Sequence, residues 1–282
     1  MPNTHALAVM KTTGTVFLIV LTLLVLAIPA QRTHAGVRKW KTYQKTQLFE
    51  LVGSGAYFYV TGHMTIDADG APDAYHPDNT GLDHLKHAGY PGTSWWKNVL
   101  VTDPKDPEKP YVVPDGPYQG YYLSMTSLRD MTKVPTDPSR YVDASRVPYL
   151  VFPSTFSRLK GVGALGDLGV AVNLDTGVYS PFIIADIGPE KHPLGEVSIQ
   201  LAQRLGGGNV CPRVGPEKPL GEILYIVFPG SGDRFPWPGS EKHIDRIAEE
   251  LLMSIGGTER VFVWIGRGSN LALSNSTNPD KT

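Results

Sequence analysis

The sequence predicts a mainly β, α+β domain, a six- to seven-stranded barrel with two peripheral helices. Three observations predict it. Seven short runs rich in β-branched and aromatic residues are bounded by Gly, Pro and Asp clusters. Only two stretches carry helical spacing. Of 282 residues, 30 are Gly and 24 are Pro, with 41% hydrophobic and 19% charged, which gives enough apolar surface for a core and many turns around it.

Taken in order, residues 1–35 read as a secretory signal. Lys11 precedes the apolar run from Val16 to Ile28, and Pro29-Ala30 and Thr33-His34-Ala35 offer small-residue cleavage sites. Such a run rises about 20 Å as a helix against a hydrocarbon core of roughly 30 Å, so a signal is expected over an anchor. The expectation is a secreted protein, extracellular or periplasmic, with no membrane association once the leader is gone. Residues 36–267 are expected to form a single catalytic barrel domain and residues 268–282 a loose tail.

The candidate strands begin at Tyr57, Gly120, Val147, Asp167, Tyr179, Glu222 and Val261. Asp175-Thr176-Gly177 joins two of them as a tight hairpin. Between the sixth and seventh, Ser240 can cap a helix in which Ile244, Ile247, Ala248, Leu251, Leu252 and Ile255 recur before Gly256-Gly257 stops it. A shorter helix is expected from Glu196 to Leu205, closed by Gly206 to Gly208.

Composition excludes several functions. Lys plus Arg is 26 and Asp plus Glu 27, for a net charge of -1. Losing Lys11 and Arg32 with the leader, and no acid, makes the mature chain -3, so there is no general attraction to nucleic acid. Cys211 is the one cysteine, so neither an internal disulfide nor a cysteine-based zinc site can form. A monomer is expected.

The chemistry is concentrated between Phe182 and Ala202. A buried strand ends at Asp186, a Gly/Pro loop turns the chain, and Glu196 opens a helix, so two carboxyl groups can face one cleft. Glycosidic bond hydrolysis needs such a pair, one carboxyl to protonate the leaving oxygen and one to activate water or attack the sugar. An Asp capping a turn and a Glu in a helix's first turn are the ordinary structural alternatives. The helix N-terminus favours the ionised form of Glu196 and suits a base, and Asp186, at the end of an apolar strand, suits the acid, but the loop can bring either group near the leaving oxygen, so sequence leaves both assignments open.

The stretch from Asp186 to Ala202, with its Asp-x-Gly-Pro loop and Leu-Gly-Glu-Val-Ser-Ile-x-Leu-Ala, resembles the active-site segment of the chitosanases of glycoside hydrolase family 75. Residues 143–153, 166–172 and 66–70 are similar to other segments of that family, so the resemblance spans roughly residues 60 to 230. It implies Asp186 and Glu196 as the essential pair, cleavage of β-1,4 bonds of chitosan or a related amino-sugar polysaccharide with inversion, and no obligatory cofactor. The fungal members are richer in cysteine, and the loop between the two acids is composed differently here. The order of strand, Gly/Pro loop and Gly-Glu step also looks like double-psi barrel proteins, including cell-wall lytic enzymes. Peptidoglycan cleavage or non-catalytic carbohydrate binding are therefore the alternatives.

Further candidates lie outside that stretch. Asp67, Asp69 and Asp73 form an acidic segment that suits the ammonium groups of glucosamine; it resembles a calcium loop, but its Gly comes too early and the twelfth position lacks Glu, so no metal is expected. Trp95, Trp96 and Trp237 are candidate platforms for the flat faces of sugars. His192, between the two acids, can hydrogen-bond one of them or the substrate.

Overall fold

In a computed structural model of the chain, residues 36–213, 218–266 and 274–275 are described. The strands are β1 (Val37–Tyr43), β2 (Thr46–Leu51), β3 (Tyr57–Thr61), β4 (Thr65–Asp67), β5 (Tyr149–Pro153), β6 (Leu168–Asn173), β7 (Val178–Gly188), β8 (Glu196–Ser198), β9 (Ile223–Phe228) and β10 (Ser274–Asn275). The helices are α1 (Ser154–Ser157), α2 (Ile199–Arg204), α3 (Glu241–Ser254) and α4 (Gly257–Trp264). The expected leader lies outside the described residues, as does most of the expected tail, of which Ser274 and Asn275 pair with Val178 and Tyr179 of β7.

The architecture is α+β, and the sheet corrects the expectation of a barrel. Its strands pair along one open path, β1-β2-β3-β9-β6-β7-β5-β8-β4, with β10 added at β7. Three local differences account for this. An additional hairpin, β1–β2, precedes Tyr57 and extends one end of the path. At the other end β4 has only three residues. The run from Val261 expected as a last strand is instead part of α4, because five apolar residues in a row are compatible with either a strand or a buried helical segment. The segment from Gly120 makes only isolated bridges, such as Leu100 with Ser124 and Val112 with Tyr122.

The middle of the sheet is as the sequence reads. β5, β6 and β9 are buried along their whole length, which is why they appear as unbroken apolar runs. α3 packs on β6 and β7 through Ile244, Ile247, Ala248 and Leu252, and Ser240 caps it by accepting from His243 N. Arg204 at the end of α2 donates to Glu241 at 2.6 Å and Asp245 at 3.0 Å, tying α2 to α3. On the hairpin, Trp40 packs on Tyr57 and Phe49 stacks on Phe58, so the edge is anchored by aromatic pairs.

Candidate active site

Four strands bring one row of side chains together. Val151 of β5 is flanked by Asp186 on β7 and Glu196 on β8, and Glu196 is in turn opposite Thr65 on β4. Residues in register on neighbouring strands share a face, and two strand widths put the Cα atoms of Asp186 and Glu196 roughly 10 Å apart. The row depends on an irregularity. Leu150 pairs with Ile184 but Val151 pairs with Asp186, so Ala185 is an extra residue. Regular pairing would set Asp186 opposite Phe152, on the other face.

The bulge also holds the carboxyl in place. Ala185 O accepts from Leu128 N at 2.8 Å. The neighbouring Ser127 donates to Asp186 Oδ1 through its backbone N at 2.9 Å and its Oγ at 2.5 Å, and Ile187 N adds a third bond at 2.7 Å. Glu196 is fixed by a close approach: Gly195 has φ +116, and a Cβ there would lie 2.1 Å from His63 O. The Gly-Glu step is therefore a steric requirement.

Asp67 ends β4, two residues beyond Thr65, and its Oδ1 accepts from Asp69 N at 2.8 Å. This Asx turn brings the Asp69 carboxyl round to accept from Tyr75 OH at 3.0 Å. Gly70 allows the turn to press on the chain, since a Cβ there would meet Val142 O at 2.1 Å. One carboxylate oxygen from each of Asp67, Asp69 and Asp186 lies within 4.8 Å of the others. These acids and Glu196 line a cavity of about 820 Å³, together with Trp95, Ser127, Val151, His192 and Lys218.

Four carboxyls in a buried space cannot all be charged without a counter-charge. Burial, then Asp186 and Glu196, push Asp67 well above the ordinary carboxylate range. Burial, then Asp67 and Asp186, do the same to Asp69. Burial and the nearby Asp186 push Glu196 up to about 7. Burial also raises Asp186, but the hydrogen bonds from Ser127 and Ile187 stabilise its ionised form and oppose the rise. Burial lowers His192. The site thus attracts protons, a cation or a substrate ammonium. An all-oxygen donor set suits a hard ion such as Ca²⁺ or Mg²⁺ better than zinc.

The structure therefore gathers Asp67, Asp69, Trp95, His192, Asp186 and Glu196 at one cavity. It does not bring three other candidates there. Asp73 lies beyond the turn, where its carbonyl accepts from Leu82 N. Trp96 is a core residue, 5% exposed and edge-on to Tyr90. Trp237 lines a separate cavity of about 580 Å³ with Phe235, Arg129 and several glycines. The helical placement of Glu196 is also corrected. It lies on β8, and Ser198 is the residue that caps α2, accepting from Leu201 N.

Sequence reasoning missed Ser127, Tyr149 and Lys218. Ser127 is 59 positions from the carboxyl it binds. Tyr149, whose OH donates to Asp69 O at 2.9 Å, is one aromatic in an apolar run. Lys218 donates to Met64 O at 2.8 Å at the cavity wall. Only the apolar-run setting of Tyr149, opposite a polar loop, gave any signal. No protein-family model matches the sequence, and no curated protein matches it significantly.

Proposed function

We propose that this chain is a glycoside hydrolase of the chitosanase type, cleaving β-1,4 bonds of chitosan with inversion. The observation that carries the reading is the row Asp186–Val151–Glu196 on one wall of the acidic cavity. Its Cα spacing of roughly 10 Å suits carboxyls separated by the roughly 6.5–9.5 Å that admits a water beside the sugar. The two environments assign the roles. Glu196, pushed up to about 7, keeps a proton at weakly acidic pH and donates it to the leaving glycosidic oxygen. Asp186, with three donors on Oδ1, is the better held carboxylate; it takes a proton from the water that attacks C1 from the opposite face. This reverses the order expected from a helix dipole, because no helix begins at Glu196.

Substrate class follows from the counter-charge. Asp67 and Asp69 beside Asp186 need positive charge, and the ammonium groups of glucosamine provide it. Trp95, 43% exposed at the rim, offers a ring face to a sugar. The leader-like residues 1–35 support export to where such polymers occur.

The test is release of reducing ends from chitosan by wild type, Asp186→Asn and Glu196→Gln. Activity in wild type that falls by roughly 10²-fold or more in each variant is expected. Equal inactivity of all three refutes the reading. Release of muropeptides from peptidoglycan with indifference to chitosan would replace it with the lytic alternative.

A further inference from the structure

The loop between β7 and β8 folds His192 back over Glu196. His192 Nδ1 lies 3.5 Å from Glu196 Oε2, and both atoms are buried without a hydrogen-bond partner among the described residues. A buried donor-acceptor pair left at that distance is one small movement from a hydrogen bond. The loop is held from outside the site. Gln44, in the turn of the β1–β2 hairpin, donates through Nε2 to the carbonyls of Lys191 at 2.8 Å and His192 at 3.1 Å. Thr155 Oγ1 bonds Glu190 O on the same loop. The imidazole is therefore aimed by fixed backbone.

Resting on the hydrolase reading above, we infer that His192 delivers protons to Glu196 between turnovers, as a positioning and relay residue that never touches the sugar. The need for a relay comes from the chemistry. Each inverting turnover moves a proton from Glu196 to the leaving oxygen and one from water to Asp186, leaving Glu196 ionised and Asp186 protonated. Glu196 is recessed, with its side chain 18% exposed against 31% for His192. An imidazolium passes its Nδ1 proton to Glu196 Oε2 and is left as the Nε2–H neutral ring; the ring turns about Cβ–Cγ so that its bare Nδ1 meets solvent and takes up a proton there, which restores the imidazolium, and Asp186 returns its proton to water. The cycle conserves protons and needs no co-reactant.

The charged groups around His192 agree with this role. Glu196 faces it from β8. His63 stands edge-on from the β3–β4 link with ring centroids 5.8 Å apart, and Lys218 adds positive charge near His63. His192 is pulled down by burial while Glu196 is pushed up to about 7, so the resting proton sits on Glu196 and the imidazole is neutral. A permanent ion pair, which would leave Glu196 unable to donate, is avoided.

The experiment has a kinetic and a spectroscopic arm. kcat and KM on chitosan are measured against pH for wild type, His192→Ala and His192→Gln, with and without added imidazole. Histidine ring resonances are titrated by NMR in wild type and Glu196→Gln. The expected result is a kcat lower by on the order of tenfold in both His192 variants with KM within about twofold. Imidazole restores His192→Ala, and His192 shows two inflections in wild type, one of which disappears in Glu196→Gln. Active wild type with unchanged kcat in both variants and a single His192 inflection overturns the relay and leaves the hydrolase standing. A kcat loss that imidazole does not restore, with a single inflection, assigns His192 a structural role and also overturns it. Wild type inactive on chitosan removes both.

Discussion

Gly188, at the end of β7, gives the sharpest separation between activity and stability. A Cβ at this position would lie 2.8 Å from Glu196 Oε2 and 3.1 Å from Val151 Cγ1. Atoms in ordinary contact sit near 3.5 Å, so Gly188→Ala must push the Glu196 carboxyl by roughly 0.5–1 Å, with a few tenths taken up by Val151. Backbone conformation does not oppose the change, because Gly188 is not among the glycines of positive φ. The atom displaced is the free end of a flexible side chain, so the expected stability change is within about 1 kcal/mol. Displacement of a catalytic group by about 1 Å costs on the order of 10²-fold in rate, or about 2.7 kcal/mol of barrier. The assay is kcat/KM for reducing-end release from chitosan beside thermal unfolding followed by circular dichroism. A folded Gly188→Ala protein with kcat/KM within about threefold of wild type would show that the Glu196 position is unimportant. A collapse in stability would refute the claim that the carboxyl, and not the backbone, gives way.

Other expectations follow from the same contacts. Glu196 binds its proton more tightly in the folded chain, about 7 against 4.5, so its contribution to stability is full below about pH 4.5 and is lost as pH rises through about 7, on the order of 3 kcal/mol. Asp67 and Asp69, also raised, act in the same direction. Urea unfolding should therefore show lower stability at about pH 8 than at about pH 5, with a smaller difference in Glu196→Gln; equal stability of wild type at both contradicts the raised values. Ser127→Ala removes the 2.5 Å donor to Asp186, raises that carboxyl further and should move the acid limb of the kcat/KM profile to higher pH, whereas an unmoved limb would remove Asp186 as the base. Trp95→Ala should raise KM with little change in Tm, while Trp96→Ala should cost about 3–5 kcal/mol; the reverse pattern would exchange rim and core. Arg204→Ala should lose about 2–3 kcal/mol in urea unfolding by freeing α2 from Glu241 and Asp245, and a loss under about 0.5 kcal/mol would show the clamp to be idle.

How much of this was legible in the sequence varies by element. β5, β6, β7 and β9 were readable because strands buried on both faces leave unbroken apolar runs between turn residues. α3 was readable from its cap and its spacing. The openness of the sheet was not, since closure depends on which edges meet, and single-chain periodicity carries no edge information. β1 and β2 were overlooked because an edge hairpin such as VRKWKTY and TQLFEL mixes charge with few apolar anchors. At the site, the strand-loop-Glu pattern located Asp186 and Glu196. Their environments were hidden, because the bulge at Ala185 and the three-residue β8 before α2 have no compositional signature.

The position of β9 has a consequence for how the molecule comes to exist. Among the described residues β9 is the last long strand, yet it sits between β3 and β6. Until Phe228 has been synthesised, both of those strands have a bare edge, and the pairing of residues 57–61 with 223–227 must close a loop of more than half of the chain. Such pairings lose entropy before they return contact energy, which makes folding slow. The acids of β4, β7 and β8 are brought together through β5 and not through β9, so they lie in water with ordinary pKa values until that half of the sheet pairs, and their mutual repulsion arises then.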